Sequence, residues 1–109
     1  MKDKGDALYV EQMLDAIQKI SDFTSGVDFD TFAANNEKQS ATILQFVILG
    51  ELAKKLSDDF KSHIAVPWKQ IAGLRDRAVH DYYTLDIEDL WQTIQNDLSV
   101  LQSALKNHT

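Results

Sequence analysis

The chain has 109 residues, 44% apolar and 26% charged, with a net charge of −6 and no cysteine. That is enough chain for one domain with a real core, which excludes a disordered tail, and without thiols neither a disulfide framework nor a thiolate metal site is possible. The longest apolar run, Phe46 to Leu49, is too short to cross a bilayer, and "MKDKGDALYV" carries charges where a signal peptide needs an apolar core, so a cytoplasmic protein without membrane insertion is expected.

In chain order, Val10, Met13, Leu14, Ile17 and Ile20 recur at intervals of three and four, which predicts a helix from about residue 5 to 24 with Gly26 near its C-terminal cap. Asp28 or Asp30 caps a short turn through Phe32. A long helix follows from about Glu37 to Leu56, with Ile43, Phe46, Val47, Gly50, Ala53 and Leu56 on one side. Glycine inside a helix costs about 1 kcal/mol relative to alanine, so Gly50 predicts close approach of a neighbouring helix.

Ser57 or Asp58 caps a short helix, and Pro67 sits in the first turn of the next one, which runs from Pro67 or Trp68 to about Tyr82. Asp86 then caps a last helix whose Ile87, Leu90, Trp91, Ile94, Leu98, Leu101 and Leu105 form one continuous apolar seam. An internal core stripe is the usual fate of such a seam; an exposed remainder would favour a helix-on-helix dimer. Nothing alternates with a period of two. The expectation is a single all-α bundle over residues 1–109, without linkers or repeats. Trp68, Trp91 and the seam belong to its core, His63 and His108 to its surface.

Charge is distributed unevenly. Residues 1–50 carry a net of −4, residues 51–80 a net of +2 and residues 81–109 a net of −4. The basic stretch ends in "RDRAVHDYY" (75–83). On a helix Asp76 and His80 share a face, as do Arg77 and Asp81; the second pair reads as a surface salt bridge. A carboxylate beside an imidazole can orient the ring, although from spacing alone a capping or core-edge histidine fits His80 better. Arg75 and His80 stand about 140° apart around an ideal helix, so either they are unrelated or both line one cleft from adjacent sides.

The arrangement Arg75-x4-His80-x-Tyr82 follows "VPWKQIAGL" (66–74) and precedes "DIEDLWQTIQNDL" (86–98). Together with "LDAIQKISDFTSG" (14–26) and "ILGELAKKLSD" (48–58), it resembles the HepT-like branch of the HEPN superfamily over essentially the whole chain. That branch comprises the toxin half of prokaryotic toxin–antitoxin pairs whose partner is a minimal nucleotidyltransferase. The resemblance implies a HEPN-like antiparallel bundle and a two-fold homodimer. It also implies a metal-independent ribonuclease with no cofactor, with Arg75 and His80 catalytic and Asp76 in support. It implies further that the nucleotidyltransferase antitoxin modifies Tyr82 with AMP.

The side chains suit that chemistry. Attack of an RNA 2′-hydroxyl on its own phosphorus needs a proton acceptor, a proton donor and a cation for the phosphorane. A histidine serves as either acid or base near neutrality, and an arginine fork matches phosphate oxygens. One chain has one such histidine, so two copies would supply both proton roles. A second class of function stays open: a non-catalytic HEPN module whose cleft binds a nucleotide or docks the transferase.

Overall fold

The computed structural model describes residues 4–107, and His108 lies outside them. Helix α1 (Lys4–Thr24) buries Val10, Met13, Ile17 and Ile20, the periodic residues of its sequence. Gly26, at φ +72°, turns the chain in a conformation that side-chain-bearing residues avoid. Helix α2 (Phe29–Ala33) is capped by Asp28, whose carboxylate accepts from the Thr31 amide at 2.8 Å. It delivers Phe32, fully buried, against the ring of Trp91 at 5.1 Å between centroids.

Helix α3 (Asn36–Lys55) begins on an Asn35 cap and runs between α1 and α5. It buries Ile43, Phe46, Leu49, Leu52 and Ala53, and each large side chain removed from water in this way contributes about 1.5–3 kcal/mol. Helix α4 (Asp58–Ser62) starts at Ser57, whose hydroxyl accepts from the Phe60 amide. That same serine donates both its backbone N–H (2.8 Å) and its hydroxyl (2.6 Å) to the carboxylate of Asp6, which is buried. A single carboxylate thus ties the start of α1 to the junction of α3 and α4, and α1 and α3 run antiparallel.

Helix α5 (Trp68–His80) follows Pro67, which precedes the first turn rather than lying in it. Trp68 packs half-buried on the core and donates its indole N–H to the Lys61 carbonyl at 3.2 Å. The helix stops at His80, short of the expected Tyr82, because Asp81 leaves helical geometry (φ −139°, ψ 47°); a 3-10 turn, Tyr82–Thr84, follows.

The single last helix expected from the seam is two: α6 (Ile87–Asn96), capped by Asp86, and α7 (Leu98–Lys106). Asp97 separates them at φ −109°, ψ −25°, while its N–H still reaches the Thr93 carbonyl. The two helices have different neighbours, α6 lying against α2 and α7 against α1. Leu90, Ile94, Leu98, Leu101 and Leu105 are buried along both, with Ile87 and Trp91 half-buried, so the seam leaves no exposed remainder. Among the described residues there is no strand, and no helix is long and apolar enough to cross a membrane.

Gly50 does what its position predicts. A β-carbon there would overlap Cβ of Arg75 and lie 2.6 Å from its Cγ and 3.5 Å from the Ile71 carbonyl oxygen, so α5 rests on α3 where α3 has no side chain. Gly50→Ala should therefore lower the urea midpoint, with overpacking of about 1–3 kcal/mol exceeding the gain of about 1 kcal/mol in helix propensity. A raised midpoint would show that the contact relaxes at no cost.

Candidate active site

Helix α3 is the rail on which the motif is mounted. Ser40, Gly50, Glu51 and Lys54 of α3 meet Tyr82, Arg75, Arg75 again and Asp76 respectively, which sets α5 antiparallel to it. The stem of Arg75 lies over Gly50, leaving its side chain 19% exposed. Its Nη2 pairs with Glu51 Oε1, and its Nη1 donates to Asp76 Oδ1 at 2.9 Å. Lys54 Nζ stands 3.5 Å from the same Asp76 oxygen. The Nε of Arg75 is buried with no hydrogen-bond partner among the described residues.

Glu51, Arg75, Asp76 and Lys54 therefore form a chain of alternating charge. The hydrogen bond with Asp76 is the main cause that raises the Arg75 pKa above its ordinary value. The same bond from Arg75 is the main cause that lowers that of Asp76; slight burial opposes it and Lys54 adds to it. The carboxylates and Lys54 are about half open to water, so each pairing is worth little in stability, and its importance lies in where it holds the less exposed guanidinium.

His80 closes α5 and is exposed, and its ring has no hydrogen bond or ion pair among the described residues. Asp76, which spacing offered as its neighbour, is turned to Arg75 and Lys54 instead. The expected Arg77–Asp81 salt bridge is absent among the described residues, because Asp81 has left the helix whose geometry that spacing assumes. His63 is on the surface as expected.

Tyr82 stands in the 3-10 turn, 41% exposed, with its hydroxyl 3.0 Å from that of Ser40. Tyr83 beside it is 98% exposed, the two rings meeting edge-on at 5.5 Å. Among the described residues no group of three or more His, Asp or Glu is placed to hold a metal ion. Glu51 and Ser40 went unnoticed in the sequence. The signal for Glu51 was present, since a residue adjoining a close-approach glycine stands at the same helix contact.

The family model described as "Ribonuclease HepT-like" matches residues 13–107. The chain is 35% identical to "Probable ribonuclease HepT" of Thermococcus cleftensis, with 86% of each chain covered. It is 30% identical to a "Putative RNase" of Caldanaerobacter subterraneus, covering 90% of this chain and 88% of that one. It is also 30% identical to a "Putative RNase" of Methanocaldococcus jannaschii, covering 98% and 93%. No solved structure matches the chain significantly.

The charge cluster makes a prediction about pH. Because the folded pKa of Asp76 lies below its unfolded value, its stabilising contribution is complete above the ordinary aspartate range and is lost as pH falls through the depressed value. A carboxyl NMR titration should place the Asp76 midpoint below that of an ordinary aspartate, and Arg75→Ala should raise it. An unmoved midpoint would mean that Arg75 is not what holds it down.

Proposed function

The chain belongs to the HepT-like ribonuclease family of HEPN type, and on that premise we propose a metal-independent endoribonuclease whose site is completed by two copies of the chain. The observation that carries this reading is the terminal turn of α5. It presents an unpartnered, exposed His80 five residues beyond an Arg75 held toward α3, the two about 140° apart around the helix. One chain does not close both on a single phosphate. Two chains facing each other across this turn bring two histidines and two arginines to it.

In the proposed reaction the 2′-hydroxyl gives its proton to one His80 and its oxygen attacks phosphorus. The 5′-oxygen leaves, taking a proton from the His80 of the second copy. The products are a 2′,3′-cyclic phosphate and a 5′-hydroxyl. Arg75 supplies fixed positive charge to the phosphorane, exchanging a carboxylate for a phosphate oxygen as substrate arrives. Leu44 and Ile48 follow Ser40 at four-residue steps along α3 and Val79 adjoins His80 in sequence; all three are exposed, at 55%, 36% and 46%, which supports a second copy seated there.

The biological setting we propose is an RNA-cleaving cytoplasmic toxin of a type VII-like toxin–antitoxin pair, silenced by a cognate minimal nucleotidyltransferase. Tyr82 is the proposed acceptor of AMP. Its hydroxyl is accessible beside Ser40, and a nucleotide there would crowd His80 and compete with RNA for Arg75. The engagement of Arg75 by two carboxylates favours a second reading, a non-catalytic module that binds a nucleotide or docks the transferase.

Purified protein of verified unmodified mass, incubated with total RNA in EDTA, should cleave to cyclic phosphate ends and leave DNA intact. His80→Ala should lose about 10²-fold or more of the rate while remaining folded. Absence of cleavage by the folded, AMP-free wild type would favour the binding module; cleavage undiminished in His80→Ala would remove that histidine from the mechanism.

A further inference from the structure

On the side of α5 away from Arg75, a cleft of about 570 Å³ opens between this helix and the α6–α7 pair. That volume is within the range of sites for small organic ligands. Its floor is apolar, made by Phe46, Leu49, Leu74, Leu98 and Leu101, and its two walls differ in charge. The α5 wall carries Lys69 and Arg77; the α6–α7 wall carries Asp89 and Asp97 with the amides of Gln92 and Asn96.

Arg77, like Lys69, is exposed and has no ion pair or side-chain hydrogen bond among the described residues. Its Nη1 lies 3.7 Å from where a Gly73 β-carbon would stand, so the guanidinium folds back along the cleft wall at a position without a side chain. Lys69, Gly73 and Arg77 are spaced by four and His80 follows Arg77 by three, so all four lie along one stripe of α5. Arg77 and His80 are only roughly 4.5 Å apart along the helix axis.

Opposite, the Asn96 side-chain amide donates to Gln92 Oε1 at 3.0 Å, which leaves the Gln92 amide hydrogens and the Asn96 carbonyl oxygen open as a donor and acceptor edge. The two aspartates accept hydrogen bonds but donate none, so they suit exocyclic amino groups and repel phosphate.

We propose that this cleft is a nucleotide subsite: Arg77 holds the phosphate next to the scissile one, and the α6–α7 wall receives the attached base, preferring bases that carry an exocyclic amine. The polarity of the two walls sets the orientation, with phosphate toward α5 and base edge toward the carboxylates and amides. The proposal rests on RNA being the ligand of the neighbouring site, and it adds Arg77 to the residues that hold it.

The test uses the full chain and single-stranded 2′-O-methyl oligonucleotides, which bind without offering a nucleophile. Oligocytidine should bind about fivefold or more tightly than oligouridine. Arg77→Ala, with Arg77→Gln as a second variant checked for folding by circular dichroism, should weaken both about fivefold or more. It should also reduce the slope of log affinity against log salt by about one. The double variant Asp89→Ala, Asp97→Ala should erase the cytidine preference and leave the salt slope in place. Unchanged affinity and slope in both Arg77 variants, or equal binding of the two oligonucleotides by the wild type, would overturn the subsite. Cleavage of ordinary RNA is followed in parallel. Cleavage without Arg77-dependent binding overturns this proposal alone, whereas Arg77-dependent binding without cleavage supports the subsite and overturns the nuclease reading.

Discussion

The contact of Arg75 with the bare backbone of Gly50 is the constraint on which the rest of the site depends. It sets how closely α5 lies on α3 and brings the guanidinium within reach of Glu51. It also fixes the rotation of α5 about its own axis. Once Arg75 faces α3, His80 and Arg77 must both lie on the far side of α5, about 140° and 160° from it, because the angular offsets along a helix are not adjustable. One absent side chain thereby places Arg75 on one side of the helix and Arg77 and His80 together on the other.

The electrostatic arrangement answers a difficulty of composition. A protein of net charge −6 is poorly equipped to attract a polyanion through its overall field. Around Arg75 the structure sets equal numbers of cations and carboxylates, so the resting cluster is close to neutral and the arginine is held in place without drawing on long-range attraction. In the reaction proposed above, binding is an exchange of one acceptor for another on the same fork, and such an exchange discriminates by geometry more than by charge.

Much of the helical framework was legible in the sequence because caps and apolar spacing are local signals. Asp28, Ser57 and Asp86 cap where their residue types suggest, and Gly50 marked a close approach before its neighbour was known. The misreadings share one cause. The division of the last helix at Asp97 and the end of α5 at His80 are set by the backbone at Asp97 and Asp81, which the apolar spacing on either side does not report. Within the site, i,i+4 spacing offered Asp76 to His80 and Asp81 to Arg77. The first carboxylate was taken by Arg75 and Lys54, and the second had already left the helix. Spacing along α5 says nothing of Glu51, which approaches Arg75 from a different helix; only its place beside Gly50 pointed to that contact.

The link between Asp6 and Ser57 has a consequence for kinetics. The two residues are 51 positions apart, and their hydrogen bonds form only when α1 and α3 are already docked along their length. Chain entropy opposes so distant a closure early in folding, whereas helix pairs with local contacts assemble quickly. The bond therefore belongs to the late side of the folding barrier, where an interaction slows escape from the native state without hastening its formation. A buried carboxylate at the beginning of the chain acts as a fastener on the finished bundle, setting how long it persists rather than how soon it appears.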